Sequence, residues 1–128
     1  MGHTILVVDD DPLMHWVSQR HLERAGLRML SAKSGHEALE MAARELPQVI
    51  VLDVRMAEMD GLTVLKHLKE SDVTRAIPVI MVTVNADFLT RHAAECSGAA
   101  AFLSKPFRPA QLLAEIRSLI PEQKAAGT

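Results

Sequence analysis

The sequence predicts a doubly wound α/β domain, a parallel sheet covered by helices on both faces, and three observations carry that reading. Val49-Ile50-Val51-Leu52 is a continuous apolar run that ends in one carboxylate, Asp53, directly before an irregular loop reaching Gly61. Such a run reads as a strand buried on both faces, and strands of that kind belong to parallel sheets. Short β-like runs alternate with helical patterns five times along the chain, which is the second observation. The third is that capping and turn residues punctuate most of these changes.

Taken in order, Ile5 to Asp9 is the first strand. It passes into a helix with Asp11 as N-cap and Pro12 at the first helical position, and Gly26 ends that helix. Leu27 to Ala32 reads as the second strand. Ser34-Gly35-His36-Glu37 offers a capping box, and Ala38, Leu39, Met41 and Ala42 supply the buried stripe of the second helix. The third strand carries Asp53, and the third helix starts near Asp60-Gly61, with Leu62, Leu65 and Leu68 at helical spacing. Pro78 marks the approach to the fourth strand, Val79 to Thr83. A helix from Asp87 to about Ser97 is closed by Gly98, and Ala99 to Leu103 is the fifth strand. Pro109 opens the last helix, whose stripe is Leu112, Leu113, Ile116, Leu119 and Ile120. Residues 1–121 are therefore expected to form one domain, and 122–128 a disordered tail.

Composition narrows the function. The 128 residues are 48% hydrophobic, with 14 basic against 16 acidic side chains and a net charge of −2. Without a basic block, neither direct nucleic-acid binding nor attraction to an anionic membrane is suggested. One cysteine, Cys96, excludes an internal disulfide framework. No apolar run approaches the roughly 20 residues of a membrane span, and no signal peptide is evident, so the cytoplasm is the expected compartment.

With the strands placed, Asp9 and Asp10, Asp53, Thr83 and Lys105 all fall at the carboxyl edge of the sheet, where open α/β domains bind ligands. Clustered carboxylates repel and raise one another's pKa unless a cation neutralises them, and hard oxygen donors of this kind suit Mg²⁺. A hydroxyl and an ammonium beside them suit a phosphoryl group, which makes Asp53 a workable nucleophile for an aspartyl phosphate.

Val7-Val8-Asp9-Asp10-Asp11-Pro12, Leu52-Asp53, Met59-Asp60-Gly61, Val82-Thr83 and Lys105-Pro106-Phe107 together resemble the receiver domains of bacterial two-component response regulators, including the single-domain chemotaxis type. The resemblance runs from about Thr4 to Ile120. It implies a flavodoxin-like (βα)5 three-layer sandwich with strand order 2-1-3-4-5. It also implies that Asp53 accepts a phosphoryl group from a phosphohistidine on a sensor histidine kinase or histidine phosphotransfer protein. Asp10, Asp53 and the backbone carbonyl of Arg55 would bind Mg²⁺ directly, with Mn²⁺ an acceptable substitute and Asp9 acting through a metal-bound water. Thr83 would hydrogen-bond the phosphoryl group and Lys105 would ion-pair with it. Phe102 matches the switch aromatic that rotates inward as Thr83 moves, and Lys105-Pro106 would be a cis peptide. Output would pass through the face of the fourth helix, fifth strand and fifth helix to a target protein or a missing effector domain, or to a homodimer formed on phosphorylation. Phe88, Leu89 and the uncharged Ala99-Ala100-Ala101 add apolar area to that face.

Several positions depart from the usual receiver pattern. Arg55 stands two after the acceptor, Ala57 where proline is common, and Val84 where a small residue usually follows the threonine. Arg55, Val84 and Asn85 are therefore read as rate-modulating, with Val84 either narrowing the path to Asp53 or turning into the core. Two other readings use the same residues. A haloacid-dehalogenase-like phosphatase also uses a strand-end aspartate and Mg²⁺, but places a second aspartate where this chain has Arg55. A receiver-like interaction module without phosphorylation is the other. The histidines, His15 among them, show no compact metal-ligand cluster and are read as surface or packing residues. Trp16 is read as partly exposed and Cys96 as a small filler.

Overall fold

Ten elements alternate along the chain in the computed structural model, which describes residues 3–56, 58–84 and 87–120. They are β1 (Thr4–Val8), α1 (Pro12–Arg24), β2 (Arg28–Ala32), α2 (Gly35–Glu45), β3 (Val49–Asp53), α3 (Gly61–Glu70), β4 (Val79–Thr83), α4 (Phe88–Cys96), β5 (Ala101–Ser104) and α5 (Pro109–Leu119). All strand pairings are parallel, in the order β2-β1-β3-β4-β5. This is the flavodoxin-like arrangement expected. Residue 57, residues 85–86 and the 121–128 segment lie outside the described residues, so the readings of Ala57, Asn85 and the tail do too.

Strand neighbours point to opposite faces, and that alternation builds two cores. Leu6, Val8, Ile50, Leu52, Val79 and Met81 pack with α2, α3 and α4 residues such as Ala38, Val64, Leu68 and Ala94. Ile5, Val7, Val49, Val51, Ile80 and Val82 pack on the other face with Leu22 of α1 and with Leu112 and Ile116 of α5. Every residue of β3 and β4 is buried, as the unbroken apolar run implies. No helix among the described residues is long and apolar enough to cross a membrane.

The helix starts follow their caps. Asp11, Ser34, Asp60 and Asp87 each accept a backbone N–H from the first turn of the helix that follows. In the Ser34 cap, Glu37 returns its bond to the Lys33 N–H instead of to Ser34 itself. Gly61 serves close approach instead of capping. A Cβ there would overlap the Asp53 carbonyl oxygen, so the N-terminus of α3 comes near enough to β3 that only glycine fits.

Three strands differ in their bounds from the sequence reading, with β1 also starting at Thr4 and β5 also reaching Ser104. β1 stops at Val8, which leaves Asp9 on the loop. β2 begins at Arg28, because the Leu27 N–H is used in closing α1 onto Leu22. β5 begins at Ala101, not Ala99, because the Ala99 N–H bonds the Ala94 carbonyl as α4 ends through Gly98 at φ +99°. α2 ends on Leu46 at φ 49°, a left-handed position occupied by a residue other than glycine.

Candidate functional site

The parallel register brings the carboxyl ends of β1, β3, β4 and β5 together. Val8 pairs with Leu52, Asp53 with Val82, and Thr83 with Ser104. One residue beyond β1 and one beyond β5 stand Asp9 and Lys105, and the Lys105 N–H bonds the Thr83 carbonyl at 2.8 Å. The expected Lys105-Pro106 cis peptide is present in this turn.

One carboxylate oxygen from each of Asp9, Asp10 and Asp53 lies within 4.8 Å of the others. Asp9 and Asp53 are buried, and Asp10 is exposed. Lys105 Nζ bridges the buried pair, 2.8 Å from Asp9 Oδ2 and 3.5 Å from Asp53 Oδ2. The other oxygen of each buried carboxylate accepts a backbone N–H, Asp11 to Asp9 at 2.9 Å and Arg55 to Asp53 at 3.2 Å. Thr83 is fully buried at the end of β4.

Burial first, and then the Asp9 carboxylate, push the Asp53 carboxyl up to about 6, against the opposing pull of Lys105 and the Arg55 N–H. Burial lowers the Lys105 ammonium, but Asp9 and Asp53 outweigh it and hold the group above the ordinary lysine value. Three carboxylates beside the Lys105 ammonium line the site with oxygen. Those residues fit a hard divalent cation such as Mg²⁺.

Around this centre, Phe102 faces the α4 side of the sheet, half-buried against the core, with the Arg91 guanidinium 5.2 Å from its ring centroid. Val84 is 69% exposed, which overturns the option that it turns into the core. It borders a largely apolar cleft of about 330 Å³ between α1 and α5, shared with Lys105, Pro106 and Phe107. The Arg55 side chain is exposed, and its charge helps, after the Thr90 hydrogen bonds, to hold the Asp87 carboxyl below its ordinary value.

Cys96 departs from the sequence reading, whereas His15 keeps its packing reading and gains a polar partner. Cys96 is exposed at the end of α4 with Sγ 3.5 Å from His92 Nε2, so it fills no core. His15 is buried on the inner stripe of α1 with Ser18 and Leu22, and its Nε2 meets the Asp9 carbonyl oxygen at 2.5 Å. The signal that points to it is the i, i+3, i+7 spacing of those three residues behind the acidic pair.

The comparisons agree with this geometry. The response regulator receiver domain family matches residues 5–117, and the chain belongs to that family, the receiver module of two-component signalling. Among particular proteins, the chain is 41% identical over 119 residues to response regulator PleD of Caulobacter vibrioides, an alignment covering 93% of this chain and 26% of PleD. It spans about half the length of other curated relatives that it matches. Chemotaxis protein CheY4 of Vibrio cholerae superposes with a TM-score of 0.88 at 28% identity, covering 93% of this chain and 99% of that one. The receiver domain of a sensor histidine kinase from Pseudomonas aeruginosa, solved with a magnesium ion coordinated in its active-site cleft, superposes with a TM-score of 0.86 at 28% identity, covering 94% and 98%.

Proposed function

We propose that this chain is a phosphorylation switch in which Asp53 accepts a phosphoryl group from a phosphohistidine of a sensor histidine kinase or histidine phosphotransfer protein. The observation that carries the reading is the meeting of three carboxylates, one oxygen of each within 4.8 Å of the others, beside Lys105 at the carboxyl edge of the sheet. Asp10, Asp53 and the Arg55 backbone carbonyl would hold Mg²⁺, with Asp9 reaching it through water; the magnesium-bound Pseudomonas receiver supports that choice of ion. When bound, the metal offsets negative charge on the carboxylates and on phosphoryl oxygens.

The chain's own residues divide the remaining work. Near neutral pH an Asp53 carboxyl pushed up to about 6 is mostly ionised, as a nucleophile must be. The Asp53 carboxylate oxygen on the Lys105 side forms a bond to phosphorus as the N–P bond of the phosphohistidine breaks, and the imidazole, already protonated on its other ring nitrogen, leaves as a neutral ring. Lys105, already between Asp9 and Asp53, turns its ammonium to the new phosphoryl oxygens. The Thr83 hydroxyl donates to another, and Phe102, beside β4 at the Met81 level, follows it inward. The α4–β5–α5 surface then binds a target protein, an effector domain or a second copy differently. The chain assists its own phosphorylation and dephosphorylation without being an enzyme in the ordinary sense.

A phosphatase reading is not favoured, because the residue two after Asp53 offers that carboxylate a backbone N–H and carries an exposed guanidinium where an acid-base carboxylate is needed. The test is intact-mass labelling with a small phosphodonor. One phosphoryl group should appear on the wild-type chain with Mg²⁺ and none after chelation. Metal-independent labelling would sink the reading.

A further inference from the structure

We propose that His15 is a positioning residue for the acidic cluster, holding the Asp9 peptide so that Asp9 and Asp10 are presented to the metal in one geometry. The proposal rests on the Mg²⁺ reading above. His15 is 7% exposed, and its Nε2 lies 2.5 Å from the Asp9 carbonyl oxygen. A carbonyl only accepts, so Nε2 carries the proton and donates it. That choice leaves Nδ1 buried with no hydrogen-bond partner among the described residues. A buried acceptor without a partner is unfavourable, and leucine or methionine on the same helical stripe would avoid it. Packing therefore does not explain a histidine here, whereas the bond to Asp9 does.

The bond completes the restraint of one residue. The Asp9 N–H donates to the Ala32 carbonyl at 3.1 Å, Oδ1 accepts from the Asp11 N–H, and Oδ2 accepts from Lys105. The carbonyl is the remaining polar atom, and it belongs to the peptide joining Asp9 to Asp10. If that peptide rotated, the Asp10 backbone would turn and its exposed carboxylate would swing away from Asp53. Groups that orient metal ligands from behind are commonly worth about 10–100-fold in metal affinity.

Calorimetric Mg²⁺ titration of the full chain tests this, paired with thermal unfolding without metal. His15→Met matches the side-chain length and lacks the donor, while His15→Gln restores an N–H near the Nε2 position. His15→Met should weaken Mg²⁺ binding about tenfold or more with an unfolding midpoint no lower than wild type, and His15→Gln should stay within about threefold of wild type. Should the methionine variant fail to fold, His15→Asn, whose donor is too short, should show the same tenfold loss. Unchanged affinity in the donor-less variant, equal losses in Met and Gln, or affinity falling only in step with metal-free stability would each overturn the proposal. A wild-type chain that binds no Mg²⁺ would overturn the parent reading as well.

Discussion

Asp53 is an acid placed where ionising it is unfavourable, buried and beside the Asp9 carboxylate. A carboxyl raised from 3.8 to about 6 binds its proton more tightly in the folded chain than in the unfolded one. The Asp53 contribution to stability is therefore greatest below about pH 4, falls as pH rises through about 6, and levels off above it. The metal-free Asp53→Asn chain escapes that loss, and urea denaturation near pH 7 should find it more stable by roughly 1–3 kcal/mol, with the gain vanishing near pH 4. A destabilised Asn variant at neutral pH would mean that Lys105 outweighs burial. Val84 makes a second prediction at this scale, since its exposed side chain borders Lys105 and Pro106. Val84→Ala should speed both small-donor labelling and spontaneous dephosphorylation up to about tenfold, which needs only about 1.4 kcal/mol of barrier. Unchanged rates would remove Val84 from the path. The site residues were legible from sequence because each sits at or next to a strand end. For His15 the spacing with Ser18 and Leu22 marks only burial, and its bond was not legible, because it depends on a carbonyl six residues away that only the folded turn brings near.

Elements place these residues, and the most constrained joint is the entry to α3. The Gly61 N–H donates to the Val54 carbonyl at 2.7 Å, and no Cβ fits against the Asp53 main chain. Gly61→Ala should force α3 away from β3, lowering stability by about 1–3 kcal/mol in urea denaturation and weakening Mg²⁺ binding as the Asp53–Arg55 backbone shifts. An alanine variant with both properties intact would contradict this packing. Helix starts were readable because an N-cap is a local bond between a side chain and its own first turn. The start of β5 was not, since the Ala99 N–H is spent on closing α4, and the end of α2 on Leu46 carries no sequence signal of the usual glycine kind.

Across the whole molecule, the unbroken apolar runs of β3 and β4 between helical patterns made the doubly wound fold legible in outline, while which helices cover which face shows only in the two cores. The output face is a different matter, because an exposed patch does not name its partner. Phe88 and Leu89 at the start of α4 are 77% and 76% exposed, and Ala100, which follows the far end of that helix, is exposed too. If that face carries the output, scattering on the beryllofluoride-treated chain should show a change in assembly or in partner affinity that Ala100→Asp abolishes; identical behaviour would move the output elsewhere. All of this depends on acyl phosphate forming at the buried end of β3. Borohydride reduction of the phosphorylated chain converts an aspartyl phosphate to homoserine, and peptide mass spectrometry then reads its position. Homoserine at position 53 alone, absent when Mg²⁺ is chelated, is the predicted result, whereas an unmodified Asp53 with the label on another residue would contradict the assignment.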